Sequence, residues 1–225
     1  MNFQNNLSAL TDDVAYCVID VETTGLNARY NNIIEIGIVK IQGGKIIDSY
    51  NSFVNPGREI PNFITSLTGI SNKDVYNAPF FEDIHLEISN FIDGCLVGGH
   101  NFSFDLSFLR KEFQICGVES FKPLQFCTLN IGRKLFPFLK SKSLSSLARH
   151  FRIKQDDSHR ALSDAMTTAR IFIKMLKILK DEYSIYSASD LIQFQSRVVI
   201  SPSTKITNEL AVDISNLTHS PDRKS

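Results

Sequence analysis

The first sustained pattern in the chain is an apolar run, Val14 to Ile19 (VAYCVI), that ends in charge at Asp20 and Glu22. Because odd and even positions are both apolar, the run predicts a strand covered on both faces. Ile33 to Ile41 (IIEIGIVKI) repeats the pattern, with Glu35 and Lys40 as its interruptions. Gly43-Gly44 supplies a hairpin turn, and Lys45 to Val54 returns as a third strand that Asn55-Pro56-Gly57 breaks. The three predict an antiparallel meander. Helical spacing then takes over, with short helices at Phe63–Thr68 and Ser71–Val75 and a longer one at Phe81–Phe91. Cys95 to Gly99 is a short apolar strand leading to His100. Phe102, Leu106, Leu109 and Phe113 mark an amphipathic helix, Ser143–Phe151 a short one, and Ala161–Leu179 the longest in the chain. Strands first, then helix and strand in alternation, predict an α/β domain with a mixed sheet over residues 14–182. Residues 183–225 read as an extension, Ser/Thr-rich, with a weak helical patch at Asp190–Gln195 and an apolar triplet at Val198–Ile200.

Composition narrows the class. In 225 residues, 43% hydrophobic content with 17 Phe suffices for a sizeable core. Formal net charge is zero, so any attraction to nucleic acid must come from how charge is distributed. Cys17, Cys95, Cys116 and Cys127 form no C-x-x-C pair and are expected as reduced thiols. The start, MNFQNNLSALTDD, lacks a basic then apolar leader, and no run is long enough to span a bilayer. The expectation is a soluble, cytoplasmic protein.

The charge at the end of the first strand is the candidate chemistry. Residues two apart on a strand share a face, so Asp20 and Glu22 project side by side, and Gly25 lets the chain turn directly after them. Two carboxylates that close repel unless a hard cation such as Mg²⁺ or Mn²⁺ sits between them. Asp105 is placed in the first turn of the helix after the Cys95–Gly99 strand, where the helix dipole favours a carboxylate. His159 and Asp164 are five positions apart, about 140° around a helix, and so cannot serve one atom from a single helical face. They can flank one site if His159 hangs from the entry loop. Four carboxylates can hold two divalent ions about 3.5–4 Å apart, which suits in-line attack on a phosphodiester. A neutral histidine, with an ordinary pKa near about 6.5, can take the proton of the attacking water.

Taken together, D-x-E-T-T-G at Asp20–Gly25, H-N-x-x-F-D at His100–Asp105 and H-R-A-L-x-D-A at His159–Ala165 resemble the three motifs of the DEDDh exonucleases. The stretches LTGISNKDV (Leu67–Val75) and SLSSLARHFRI (Ser143–Ile153) resemble its proofreading branch, the epsilon subunit of bacterial DNA polymerase III. The resemblance covers Val14 to Leu179. It implies a ribonuclease H-like fold and a 3′→5′ exonuclease that releases nucleoside monophosphates with two Mg²⁺ or Mn²⁺ ions. It implies Asp20, Glu22, Asp105 and Asp164 as metal ligands and His159 as general base. Thr23, Thr24 and Gly25 would touch the terminal nucleotide, Leu26 would wedge against its base, and Phe104 would pack.

One feature is independent of any family. From Ser120 to Gln155 there is no Asp or Glu, yet eight Lys and Arg residues occur, among them Arg149, Arg152 and Lys154. Segregation of this kind in a neutral chain predicts a strip that tracks a single-stranded phosphate backbone. The expected substrate is a single-stranded or frayed DNA 3′ end, in proofreading or repair. An RNA-trimming exoribonuclease and a mainly structural subunit of a replication complex are the alternatives. The extension is expected either to dock on a polymerase or sliding clamp or to pack back on the domain.

Overall fold

The computed structural model describes residues 11–155 and 159–196. Five strands form one mixed sheet in the order β3-β2-β1-β4-β5. β1 (Tyr16–Thr23), β2 (Ile33–Gln42) and β3 (Lys45–Phe53) are the antiparallel meander, while β4 (Leu96–Gly99) and β5 (Gln125–Cys127) run parallel to β1. Between strands and after them lie α1 (Asn62–Thr68), α2 (Asn72–Val75), α3 (Phe81–Ile92), α4 (Ser103–Ile115), α5 (Thr128–Leu135), α6 (Leu144–His150), α7 (Ala161–Tyr183) and α8 (Ala188–Ser196). This is the ribonuclease H-like arrangement of a mixed sheet flanked by helices.

β1 explains why both faces of the sheet are covered. Cys17, Ile19 and Val21 face a core built with α3 and α4, while Tyr16 and Val18 face a second core built with α5, α6 and α7. Alternation therefore gives two hydrophobic layers from one uninterrupted run. α7 packs close to the second face through Ala161, Ala165 and Ala169, all fully buried. At Gly37 in β2 a β-carbon would lie 2.4 Å from the backbone of Ala161, so only glycine admits the helix there.

β5 and α5 fall inside the stretch that the sequence pattern reads only as basic; the strand has three residues, too few to show a period. α8 is longer than the Asp190–Gln195 patch, and it packs on the domain. Ala188 and Leu191 are fully buried in the α7-side core, and Phe194 lies against Tyr183 with ring centroids 5.4 Å apart. The first part of the extension thus belongs to the domain's own core. The Val198–Ile200 triplet lies outside the described residues. Among the described residues no helix is long and apolar enough to cross a membrane.

Candidate active site

The α7-side face of β1 reads Tyr16, Val18, Asp20, Glu22, so the face that is core at one end is acidic at the other. The change falls beyond Gly98, the last residue of β4 that pairs with β1. From there the β4-side edge of β1 lacks a strand partner, and the start of α4 takes its place. Val21 N–H donates to Asp105 Oδ1 at 3.1 Å, which fixes this carboxylate, only 4% exposed, against the strand. The turn from β4 into α4 is made by Asn101 at φ 62°, a left-handed conformation that asparagine tolerates. On the other edge, pairing of β1 with β2 shifts register between Glu22 and Thr23. Such an irregularity re-aims side chains at a strand end.

α7 brings the remaining groups. Asp164 lies in its first turn, and His159 precedes the helix at φ 62° with its backbone N–H donated to Asp164 Oδ2 at 3.1 Å. The imidazole therefore hangs from the entry loop and is not on the helical face of Asp164. Glu22, His159 and Asp164 each offer a ligand atom, and these lie within 4.8 Å of one another. Asp20 adjoins them, because the charges of Asp105, Asp164, Glu22 and Glu35 all act on it.

Burial first, and mutual repulsion second, mark these acids. Burial, then those four carboxylates, hold the Asp20 carboxyl well above its usual range. Burial, then Asp164 and Glu35, push Glu22 up to about 7, with Arg160 opposing. Burial raises Asp105 to about 8, against the backbone N–H groups of Asp105 and Val21 that favour its charge. Asp164 is raised by burial and held back by His159. An all-oxygen donor set whose charges oppose one another fits a hard divalent cation, with one imidazole at its border.

The Exonuclease (RNase_T) family model matches residues 17–172, which includes all of these groups. The chain belongs to the DEDDh exonuclease family. It is accordingly a divalent-metal-dependent 3′→5′ phosphodiester hydrolase. It is 36% identical over 173 residues to the DNA polymerase III subunit epsilon of Aquifex aeolicus, covering 77% of this chain and 86% of that protein. It is 41% identical over 176 residues to the PolC-type DNA polymerase III of Caldanaerobacter subterraneus, covering 78% of this chain but 12% of that protein. Against the 3′-5′ exonuclease DinG of Staphylococcus epidermidis the figures are 40% identity, 71% of this chain and 18% of that one. The chain thus spans under a fifth of the PolC-type and DinG proteins. Among solved structures, Exonuclease X in complex with 5′ overhanging duplex DNA superposes with a TM-score of 0.64 at 25% identity, covering 80% of this chain and 99% of that one.

In this exonuclease the residues after Glu22 form a self-bonded turn. The Thr23 hydroxyl donates to the Gly25 carbonyl at 2.8 Å. The Thr24 hydroxyl donates to Asn31 Oδ1 at 3.3 Å and accepts from Asn32 N–H at 3.0 Å. Both threonines are buried, whereas Leu26 is 85% exposed. Arg149 lies in the last turn of α6, and Arg152 and Lys154 follow it; all three are exposed.

The exonuclease also uses a pair that reading motifs alone did not single out. Glu35 is fully buried, accepts from Arg160 Nε at 3.1 Å and from Arg160 Nη2 at 2.9 Å, and accepts from Ala161 N–H at 3.1 Å. The two-pronged pair and the capped helix N-terminus together clamp α7 to β2 immediately beside His159. The signal was present in the sequence: a charge inside a fully covered strand must find a partner. His100 also serves the framework. Its ring meets Thr128 Oγ1 at 3.0 Å, and burial pushes it down to about 4, with the Lys142 carbonyl opposing and the Arg133 charge assisting.

Proposed function

We propose that this exonuclease removes nucleoside monophosphates one at a time from single-stranded or frayed DNA 3′ ends, in proofreading or repair in the cytoplasm. The observation that carries the reading is the gathering of Asp20, Glu22, Asp105 and Asp164 at one strand end, with His159 offered from a loop. Asp20, Glu22, Asp105 and Asp164 would hold two Mg²⁺ or Mn²⁺ ions, which when bound supply positive charge at the phosphodiester and make a nearby water more acidic. His159 takes the proton from the attacking water; its backbone bond to Asp164 holds the loop so that the ring faces Glu22 and Asp164. The backbone of Thr23, Thr24 and Gly25 lies against the terminal nucleotide, and exposed Leu26 packs on its base. Arg149, Arg152 and Lys154 meet the phosphates further along the strand.

The named relatives include polymerase III subunits, and association with a polymerase or its clamp is proposed here by analogy. Residues up to Ser196 are committed to the domain, so a docking segment would lie in 197–225, outside the described residues. The test is digestion of 5′-labelled single-stranded DNA and RNA by the purified protein with Mg²⁺ or Mn²⁺, and with EDTA. Stepwise loss from the DNA 3′ end that EDTA stops is expected. Digestion of RNA alone would assign the enzyme to RNA trimming, and no digestion of either would overturn the reading.

A further inference from the structure

We infer that a cluster of aromatic rings around Phe138 is a stacking platform for unpaired bases of the DNA strand upstream of the cleaved end. The inference rests on the exonuclease reading and adds to it how the strand is held away from the carboxylates.

Phe136, Phe138, His150 and Phe151 come from the end of α5, the following loop and the end of α6. Phe136 is buried and forms the floor, with His150 4.8 Å and Phe151 5.4 Å away between ring centroids. Phe138 stands on that floor at 6.1 Å and 78° and lies 5.9 Å from exposed His150. It is 69% exposed, the most exposed phenylalanine among the described residues. A ring left in water at that level, yet braced on others, offers a flat apolar face at small cost in ordering.

Two further observations choose the occupant. The platform sits within the Ser120–Gln155 stretch, which holds eight cations and no acid, and Lys140, Arg149 and Arg152 flank its rings in sequence. Arg152 occupies the left-handed position that ends α6 (φ 55°), its N–H donated to Arg149 O and the Ile153 N–H to Ala148 O. Glycine would fit that position more easily, yet the chain places a cation there. Rings among cations match a polyanion that also carries stackable bases, which is unpaired DNA. An acidic peptide would use only the cations.

The platform is also tied to the catalytic end of the sheet. His100, directly after β4, meets the Lys142 carbonyl, and the Lys142 ammonium bonds the carbonyls of Leu139 at 2.5 Å and Pro137 at 3.3 Å, the residues either side of Phe138. A strand whose 3′ end lies at the carboxylates can continue toward these rings along one braced surface.

The test uses the full chain and its Phe138→Ala and Arg149→Gln variants. Anisotropy of 5′-labelled dT12 in EDTA reports binding without hydrolysis, and hydrolysis of dT12 and dT2 with Mn²⁺ runs in parallel. Phe138→Ala should weaken dT12 binding by about five- to tenfold, the effect of losing one base stack, with an unchanged salt slope. Arg149→Gln should instead lower that slope by about 0.7. The advantage of dT12 over dT2 in kcat/KM should shrink in Phe138→Ala by the same five- to tenfold. Equal dT12 affinity in wild type and Phe138→Ala, with wild-type hydrolysis intact, would overturn the platform and leave the exonuclease reading standing. A Glu-rich peptide whose binding depends on Phe138 while dT12 binding does not would make this a protein-docking surface and overturn it as well. Loss of wild-type hydrolysis on both oligonucleotides would be the failure of the exonuclease reading itself.

Discussion

Tyr16 and Val18 share one face of β1 with Asp20 and Glu22, and α7 runs along all four, yet the two pairs do opposite work. Tyr16 is 1% exposed, its ring lying 5.1 Å from Phe172 and 5.7 Å from Phe126, with its hydroxyl donated to Thr11 O at 3.1 Å. The tyrosine's one polar atom is satisfied there, and burial of its ring contributes stability. At the other end four carboxylates repel, and His159 sits in a left-handed conformation before the same helix. The well-packed half of α7 holds in place what the acidic half would push apart. Stability and chemistry are separated by one turn of strand.

The comparison breaks most visibly at the acids. Asp20→Ala should abolish Mg²⁺- and Mn²⁺-dependent nuclease activity while the metal-free protein melts no lower than wild type, since one repelling charge is gone. Nuclease assay and thermal melting check both halves, and substantial activity in the variant would remove Asp20 from the site. His159→Ala should lower kcat by roughly 10²–10⁴-fold and keep Mn²⁺ affinity. If affinity collapses with the rate, His159 is a ligand, as its 4.8 Å grouping with Glu22 and Asp164 also allows.

The packed end should respond in the reverse sense. Phe172→Ala opens a cavity under Tyr16 and Phe126 and should cost about 3–5 kcal/mol in denaturant unfolding. The fraction still folded should turn over at the wild-type rate. The acidic end should also respond to pH. Glu22 moves from an ordinary 4.5 to about 7 and Asp105 from 3.8 to about 8 in the folded chain. Folded protein therefore holds protons that unfolded protein releases. The stability this gives is complete below about pH 4 and is lost as pH rises through about 7 to 8. In EDTA the Tm should fall between pH 5 and pH 8, and Mn²⁺ at pH 8 should restore it. A flat Tm in EDTA would show that Glu22 and Asp105 are not held above their ordinary range in the folded chain.

What was legible in the sequence follows the same division. β1, β2, α4 and α7 are long enough to show their period, and the chemistry lies in three compact motifs at Asp20–Gly25, His100–Asp105 and His159–Ala165. The Glu35–Arg160 clamp joins residues 125 positions apart, and no local pattern announces a partner at that distance. β5 escaped because three residues carry no alternation, and α5 because Gly132 and the cations around it obscure its apolar stripe. Short apolar groups in the polar extension leave docking and packing back equally open in sequence, and the enclosure of Ala188 and Leu191 is visible only in the structure.

One small contact in α8 bears on how this molecule keeps to itself. Gln195 accepts from Cys127 N–H at 2.8 Å and donates to Gln125 O at 2.7 Å. A residue of a sixth, parallel strand would make that same pair of bonds on either side of Phe126. The side-chain amide thus impersonates a neighbouring peptide and closes the outer edge of β5. Another chain seeking to add itself to the sheet there must first dislodge α8, whose Leu191 is fixed in the core. The helix acts as a guard against edge-to-edge aggregation, stationed where the sheet is shortest.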